Sequence, residues 1–183
     1  MIVRSGVQSA SAPSKLNVLS DALVLGAERC GIDACVYLPD SCLTDTIRKF
    51  QTAGRVMMVP CAREDEGIAI AMGLYLGGRT PACLMEASGI GYSGLILARA
   101  LAQRTPLLVI ASHTRGPGEP FDYHGATCLV GEGIFKGIGI SYSIAHDIGT
   151  LPDLLYRIGQ TIRGQLSTFG LLLPPHLARG DKQ

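Results

Sequence analysis

Three adjacent carboxylates, Glu64-Asp65-Glu66, open a run that carries no charge from Gly67 to Leu76. The spacing predicts a helix, on which Glu64 shares a face with Ile68, Ala71, Met72 and Tyr75. A carboxylate aimed into apolar surroundings has its charged form disfavoured, so it holds a proton more readily than a solvated one. The opposite face, with Ile70 and Leu74, is apolar too. A helix that is hydrophobic all round is expected to be covered on all sides, here in part by a second chain. The plainer reading is that acids in a first turn complement the helix macrodipole. What else gathers around Glu64 decides between the two.

A second stretch with chemical potential is Gly89-Ile-Gly-Tyr-Ser-Gly94, which matches the G-x-G-x-x-G dinucleotide pattern and lies between a predicted strand and a helix. A Rossmann unit wants that motif after its first strand and an acid at the end of the next one. Here it follows the third predicted strand, and the following strand ends in Ser112-His113. The glycines are better read as letting the backbone approach a ligand or a neighbouring subunit closely, which leaves a nicotinamide-binding domain as a minor alternative. No Walker A and no G-x-S-x-G motif is present, so neither a P-loop NTPase nor a serine hydrolase is favoured.

The elements that must position these residues alternate. Ser14 caps a predicted helix that stops at Gly31, and residues 32–38 read as a strand. After the loop Pro39-Asp40-Ser41, Ser41 or its neighbour opens a short helix to Gln51. The strand 55–59 and the Glu64 helix, closed by Gly77-Gly78, come next. Residues 81–85 are a strand, and 86–91 read as a turn into a helix that ends near Arg104. The strand 106–111 precedes a Gly- and Pro-rich ordered loop, 113–123. A Gly-punctuated helix over 126–135, a strand over 141–144, a helix over 151–166 and a strand over 169–173 follow. Unbroken apolar strands alternating with helices predict one three-layer α/β/α domain, residues 14–178, on a mostly parallel sheet of about six strands. Residues 1–13 and 179–183 read as tails. In such a sheet, ligands sit beyond the carboxyl ends of the strands. Asp40-Ser41, 61–64, 86–91 and Ser112-His113 with Arg115 should therefore share one rim.

Bulk properties narrow the classes. The 183 residues suit one domain with a sizeable core. Net charge is +1 without a basic cluster, which argues against nucleic acid or an anionic membrane surface. No apolar run reaches the ~18–20 residues of a membrane span, and residues 1–13 lack the apolar core of a signal peptide. The six cysteines form no Cys-x-x-Cys pair, so reduced thiols in a cytoplasmic protein are expected. The four histidines lack ligand spacing, and no metal site is predicted within this chain.

Leu38-Pro-Asp-Ser41, Glu64 followed by Gly73, Met85-Glu-Ala-Ser-Gly-Ile-Gly91 and Ser112-His-Thr-Arg-Gly116 occur in this order. Over most of residues 14–175 the chain resembles the pyrimidine-binding (PYR) domain of thiamine diphosphate enzymes, in particular of sulfopyruvate and phosphonopyruvate decarboxylases. The resemblance implies that Glu64, not Asp65 or Glu66, faces N1′ of the cofactor's aminopyrimidine. It further implies that Ser88 and Gly89 contact the cofactor near the reacting carbon and that Asp40 and Ser41 lie on the substrate side. As bare sequence, those last two are simply a helix-capping pair. His113, Arg115 and His124 are candidates to hold the carboxylate or a distal sulfonate or phosphonate; the alternative is a loop stabilised by its own hydrogen bonds.

The same resemblance implies a missing half. Family members hold magnesium and diphosphate with a Gly-Asp-Gly and a later paired Asn in a PP domain. This chain has no Gly-Asp-Gly, and its sole asparagine is Asn17. The expectation is an α-type subunit of a 2-oxo acid decarboxylase in a hetero-oligomer. Thiamine diphosphate would lie at the interface, with Mg2+ held by a separate PP-domain (β-type) subunit. The alternative is a non-catalytic or regulatory binding subunit that kept the fold. Relatives often carry Gln-Asn-Ser-Gly where this chain has Glu86-Ala-Ser-Gly, and their loop at 116–123 differs in length; both bear on substrate identity.

Overall fold

The computed structural model describes residues 14–114, 117 and 119–178. Helix α1 (Lys15–Cys30) begins where the Ser14 hydroxyl accepts from the Asn17 amide and ends at Gly31 in the left-handed region, φ 76°, as its cap residues predict. The chain continues through β1 (Ala34–Tyr37), α2 (Thr44–Ala53), β2 (Met57–Pro60), α3 (Glu64–Leu76) and β3 (Pro81–Glu86). It goes on through α4 (Ala87–Tyr92), α5 (Gly94–Ala102), β4 (Leu107–Ser112), α6 (His124–Ile138), β5 (Ser141–Ile144), α7 (Leu151–Gln165), β6 (Thr168–Leu173) and α8 (Pro175–Ala178). The short α8, closing against the core through Leu177 and Ala178, has no counterpart among the sequence expectations.

Six strands pair in the order β2-β1-β3-β4-β6-β5, and every pairing is parallel. The central strands β3 and β4 are buried nearly end to end, which is why they read as continuous apolar runs rather than alternating ones. Period-2 alternation then splits them between two cores. Leu84, Leu108 and Ile110 face α1, α2, α7 and α8. Cys83, Met85, Leu107, Val109 and Ala111 face the layer of α3 to α6.

The order places β1 between β2 and β3, with α2 in one layer and α3 in the other. The chain thus reverses direction across the sheet between β1 and β3, the type of position where open α/β sheets bind ligands. The loops leaving β1, β2, β3 and β4 emerge on the same edge, because the strands are parallel and adjacent. Asp40, Glu64, Glu86 and His113 all follow from those four strand ends.

Candidate active site

The acidic triplet splits into two structural acids and one free one. Arg63, extended at the N-cap of α3, grips Asp65 with two parallel bonds, Nε to Oδ1 at 3.0 Å and Nη2 to Oδ2 at 2.9 Å. That bidentate pairing holds the Asp65 carboxyl below the usual carboxylate range. Glu66, at the third helical position, reaches back to accept from the Ala62 amide at 3.0 Å, satisfying a donor just ahead of the helix. Among the described residues, Glu64 makes no hydrogen bond and no ion pair, and it is half-buried.

Glu64 lies across α4. A Cβ added at Gly89 would stand 2.2 Å from Glu64 Cγ and 2.7 Å from its Cδ, so the glutamate occupies the space a side chain at 89 would need. This corrects the expected turn over 86–91. The segment is helical from Ala87, and Ser93 separates α4 from α5. The glycines serve contact rather than turning: Gly89 admits Glu64 on one side, and a Cβ at Gly91 would meet Val130 Cγ1 at 2.5 Å on the other. The motif therefore forms no glycine-rich loop after β3. Ser88, half-buried on α4, has a hydroxyl with no partner among the described residues.

Beneath the first turns of α3 lies a floor of thiols. Cys61 Sγ–H donates to the Tyr37 carbonyl at 3.4 Å, and Cys83 Sγ–H donates to the Gly67 carbonyl at 3.7 Å. Burial pushes both thiols up, and for Cys61 the carboxylates of Glu66 and Glu64 add to it. Thiols so disposed are reluctant nucleophiles. They pack the site rather than react in it.

The other candidates are held by partners that sequence spacing does not reveal. Asp40 Oδ1 accepts from the Cys42 and Leu43 amides at 2.8 and 3.1 Å, and its Oδ2 accepts from the Ser112 hydroxyl at 3.3 Å. Asp40 thus ties the end of β1 to the end of β4. It caps a turn, so that α2 opens at Thr44 rather than at the exposed Ser41. His113 is 5% exposed, and its Nε2 lies 3.2 Å from Glu132 Oε1 on α6. The Tyr142 hydroxyl donates to the other oxygen of Glu132 at 2.9 Å. His124 opens α6, with Nδ1 2.9 Å from Glu119 Oε1 and its ring edge-on to Phe121 and Tyr123. Each histidine therefore already faces a carboxylate. Arg115 lies outside the described residues.

The sequence expectation puts Glu86 on the rim as part of 86–91, though not among the candidate site residues. It ends β3 opposite Ser112, is half-buried, and has no hydrogen bond or ion pair among the described residues. Its position at the end of a buried strand was the available signal. No group of three or more His, Cys, Asp or Glu among the described residues could hold a metal ion.

The strand-end rim of this parallel α/β domain thus presents two glutamates, Glu64 and Glu86, that are unpaired among the described residues. The profile of the thiamine pyrophosphate enzyme N-terminal TPP binding domain matches residues 17–127, and the chain belongs to that family. Relatives include the sulfopyruvate decarboxylase subunit alpha of Methanothermobacter thermautotrophicus, 35% identical over 101 residues that cover 55% of this chain and 61% of that protein. The protein of the same name from Methanococcus maripaludis is 34% identical over 84 residues, covering 45% and 50%. The match thus spans about half to three-fifths of those relatives' length. Among solved structures, the 2-oxoglutarate:ferredoxin oxidoreductase from Magnetococcus marinus superposes with a TM-score of 0.71 at 15% identity. That superposition covers 91% of this chain and 29% of that one, a likeness of fold. No helix among the described residues is long and apolar enough to cross a membrane.

Proposed function

We propose that this chain is the α-type subunit of a thiamine-diphosphate-dependent decarboxylase acting on a small anionic 2-oxo acid such as 3-sulfopyruvate or 3-phosphonopyruvate. The observation that carries the reading is the free carboxyl of Glu64: its two acidic neighbours are consumed by Arg63 and by the Ala62 amide, while Glu64 stays unpaired among the described residues. Glu64 would hold a proton shared with the N1′ nitrogen of the aminopyrimidine, a task suited to a partly desolvated carboxyl group. Ser88, with its free hydroxyl, and the backbone around Gly89 would line the same end of the cofactor. When bound, the cofactor supplies the electron sink for carbon dioxide loss.

The donor set fits only that end. The diphosphate and its Mg2+ need oxygen ligands that converge, and the described residues contain no such cluster. A PP-domain subunit is therefore proposed to bring them and to close the cofactor between the two chains. The outer surface of α3 to α6 supports a covering partner, since Leu76, Tyr92, Leu95 and Leu129 are each at least 65% exposed there. Asp40, Arg115, His113 and His124 remain the residues nearest to the proposed substrate side by chain position. His113 and His124 would act through or after release from Glu132 and Glu119. The test is co-purification with the diphosphate-binding subunit, followed by a carbon dioxide release assay across 2-oxo acids. Turnover of at least one sulfonated or phosphonated 2-oxo acid is expected. Cofactor binding by the pair without any decarboxylation would instead leave a binding subunit.

A further inference from the structure

We propose that Gly89 is a positioning residue for Glu64: the missing side chain at 89 is the slot that sets where the Glu64 carboxyl sits. The inference rests on the reading of Glu64 given above, but its geometry stands apart from the reaction. Gly89 has no positive φ, so its backbone conformation does not call for glycine, and glycine is a poor helix former. What calls for it is the approach of α3. Besides the contacts to Cγ and Cδ, a Cβ at 89 would stand 2.8 Å from Glu64 Cβ. Rotating the glutamate side chain relieves the first two contacts but not the third, because both Cβ positions are set by their backbones. Any residue larger than glycine must therefore push the first turn of α3 away from α4 and turn Glu64 out of its present rotamer.

That first turn has little room to yield. One turn along α3, a Cβ at Gly67 would stand 2.9 Å from Cys61 Sγ and 3.5 Å from Val36 Cγ1, so the helix already rests on the sheet with no spare layer between. The first turn of α3 is thus held by α4 at Glu64 and by Cys61 and Val36 at Gly67. A rigid support of this kind is what fixes a reacting group to within a fraction of an ångström.

The experiment compares Gly89→Ala with Gly91→Ala in the full chain carrying 13C-labelled glutamate, with the Glu64 carboxyl resonance assigned by its loss in Glu64→Gln. The Gly91 substitution loads the same short helix, but against Val130 on the opposite side. Gly89→Ala is expected to move the Glu64 carboxyl resonance, and Gly91→Ala to leave it in place. In the complex with the diphosphate-binding subunit, Gly89→Ala is expected to lower kcat at least tenfold while KM for the 2-oxo acid stays within twofold. A resonance unmoved by Gly89→Ala, or moved equally by Gly91→Ala, overturns the proposal. Should Gly89→Ala fail to fold, the wild-type chain decides: nuclear Overhauser contacts between the Glu64 side chain and the Gly89 α-protons support the slot, and their absence overturns it. A complex without decarboxylase activity in which the resonance still moves only in Gly89→Ala removes the catalytic reading and keeps the positioning one.

Discussion

The two faces of the sheet are built differently. On the α1, α2, α7 and α8 side, Leu19, Leu23, Leu151 and Leu155 are fully buried. The helices there wear charge outside, joined in pairs such as Arg29–Asp153, Arg48–Asp45 and Lys49–Asp21. Close packing without slack joins α1 to α7, where a Cβ at Gly26 would fall 2.3 Å from Leu155 Cδ1. On the other side, α3 beyond Glu66 and all of α4 carry no charge, and α5 carries only Arg99. Gly73, Gly133 and Gly137 there have nothing within 4 Å of a Cβ, and large apolar side chains stand in the open. One face has its charged outer surface towards water, as a solvated helix layer should. The other keeps its core but carries little charge outside α6, where Lys136 stands beside Glu132, and it is the face that carries Glu64. The expectation that α3 is covered on all sides is not met within this chain, because its Leu76 end is 80% exposed.

The contrast can be broken or sharpened by experiment. The largest effect is expected from Glu64→Gln on the open face: turnover of the complex falls by roughly 10²–10⁴-fold, the usual worth of a positioned acid–base group, while the melting temperature hardly moves. Turnover within twofold of wild type would sink the role of Glu64. On the closed face, Leu155→Ala should do the reverse, destabilising the chain by about 2–5 kcal/mol in chemical denaturation while the folded fraction keeps its specific activity. Equal losses of activity per folded molecule from both variants would erase the distinction between the faces.

Next in size, Leu129→Glu on α6 should leave the isolated chain's stability within about 0.5 kcal/mol, as for an ordinary surface site. It should also weaken partner binding at least tenfold, or about 1.4 kcal/mol, read by titration calorimetry. Undiminished affinity would mean that the apolar patch around Leu129 is not covered by the partner. A smaller effect is shared by both layers. Cys35 and Cys83, one facing each core, are pushed up by burial, so in the folded chain they stay protonated where unfolded thiols ionise. Their contribution is full below about pH 8.5 and is lost as pH climbs towards the raised folded values, by up to about 1.4 kcal/mol per pH unit for each thiol. Denaturant midpoints that stay flat between about pH 8.5 and 9.5 would contradict it. The smallest effect is expected from Asp65→Asn: it removes an exposed pair with Arg63, and turnover should stay within twofold, in contrast to its neighbour Glu64.

Much of the fold was legible because burial on both faces leaves its mark on sequence. Strands such as 107–112 have no polar position before Ser112, and β5 and the bounds of α7 emerged from their patterns within a residue. The misses share a cause. Glycine punctuation over 86–91 reads as a turn, yet the segment is helical from Ala87, and its glycines make room for α3 on one side and α6 on the other, a crowding that involves residues 25 or more positions away in the chain. The same holds for the rim. Asp40 meets Ser112 across 72 residues and His113 meets Glu132 across 19, distances at which no periodicity operates.

The sequence by itself determined the parallel three-layer architecture, since apolar strands alternating with helices can bury themselves in few other ways. It also placed an acidic helix start at the rim of that sheet. That Glu64 is the one of the three acids left unpaired is seen only in the folded structure. Arg63 and the Ala62 amide lie where they can engage Asp65 and Glu66, and the side-chain-free backbone of Gly89 crosses α3 where Glu64 begins it. Hydrogen-bond reach and steric contact operate over a few ångströms in space, and only folding brings positions 64 and 89 within that range.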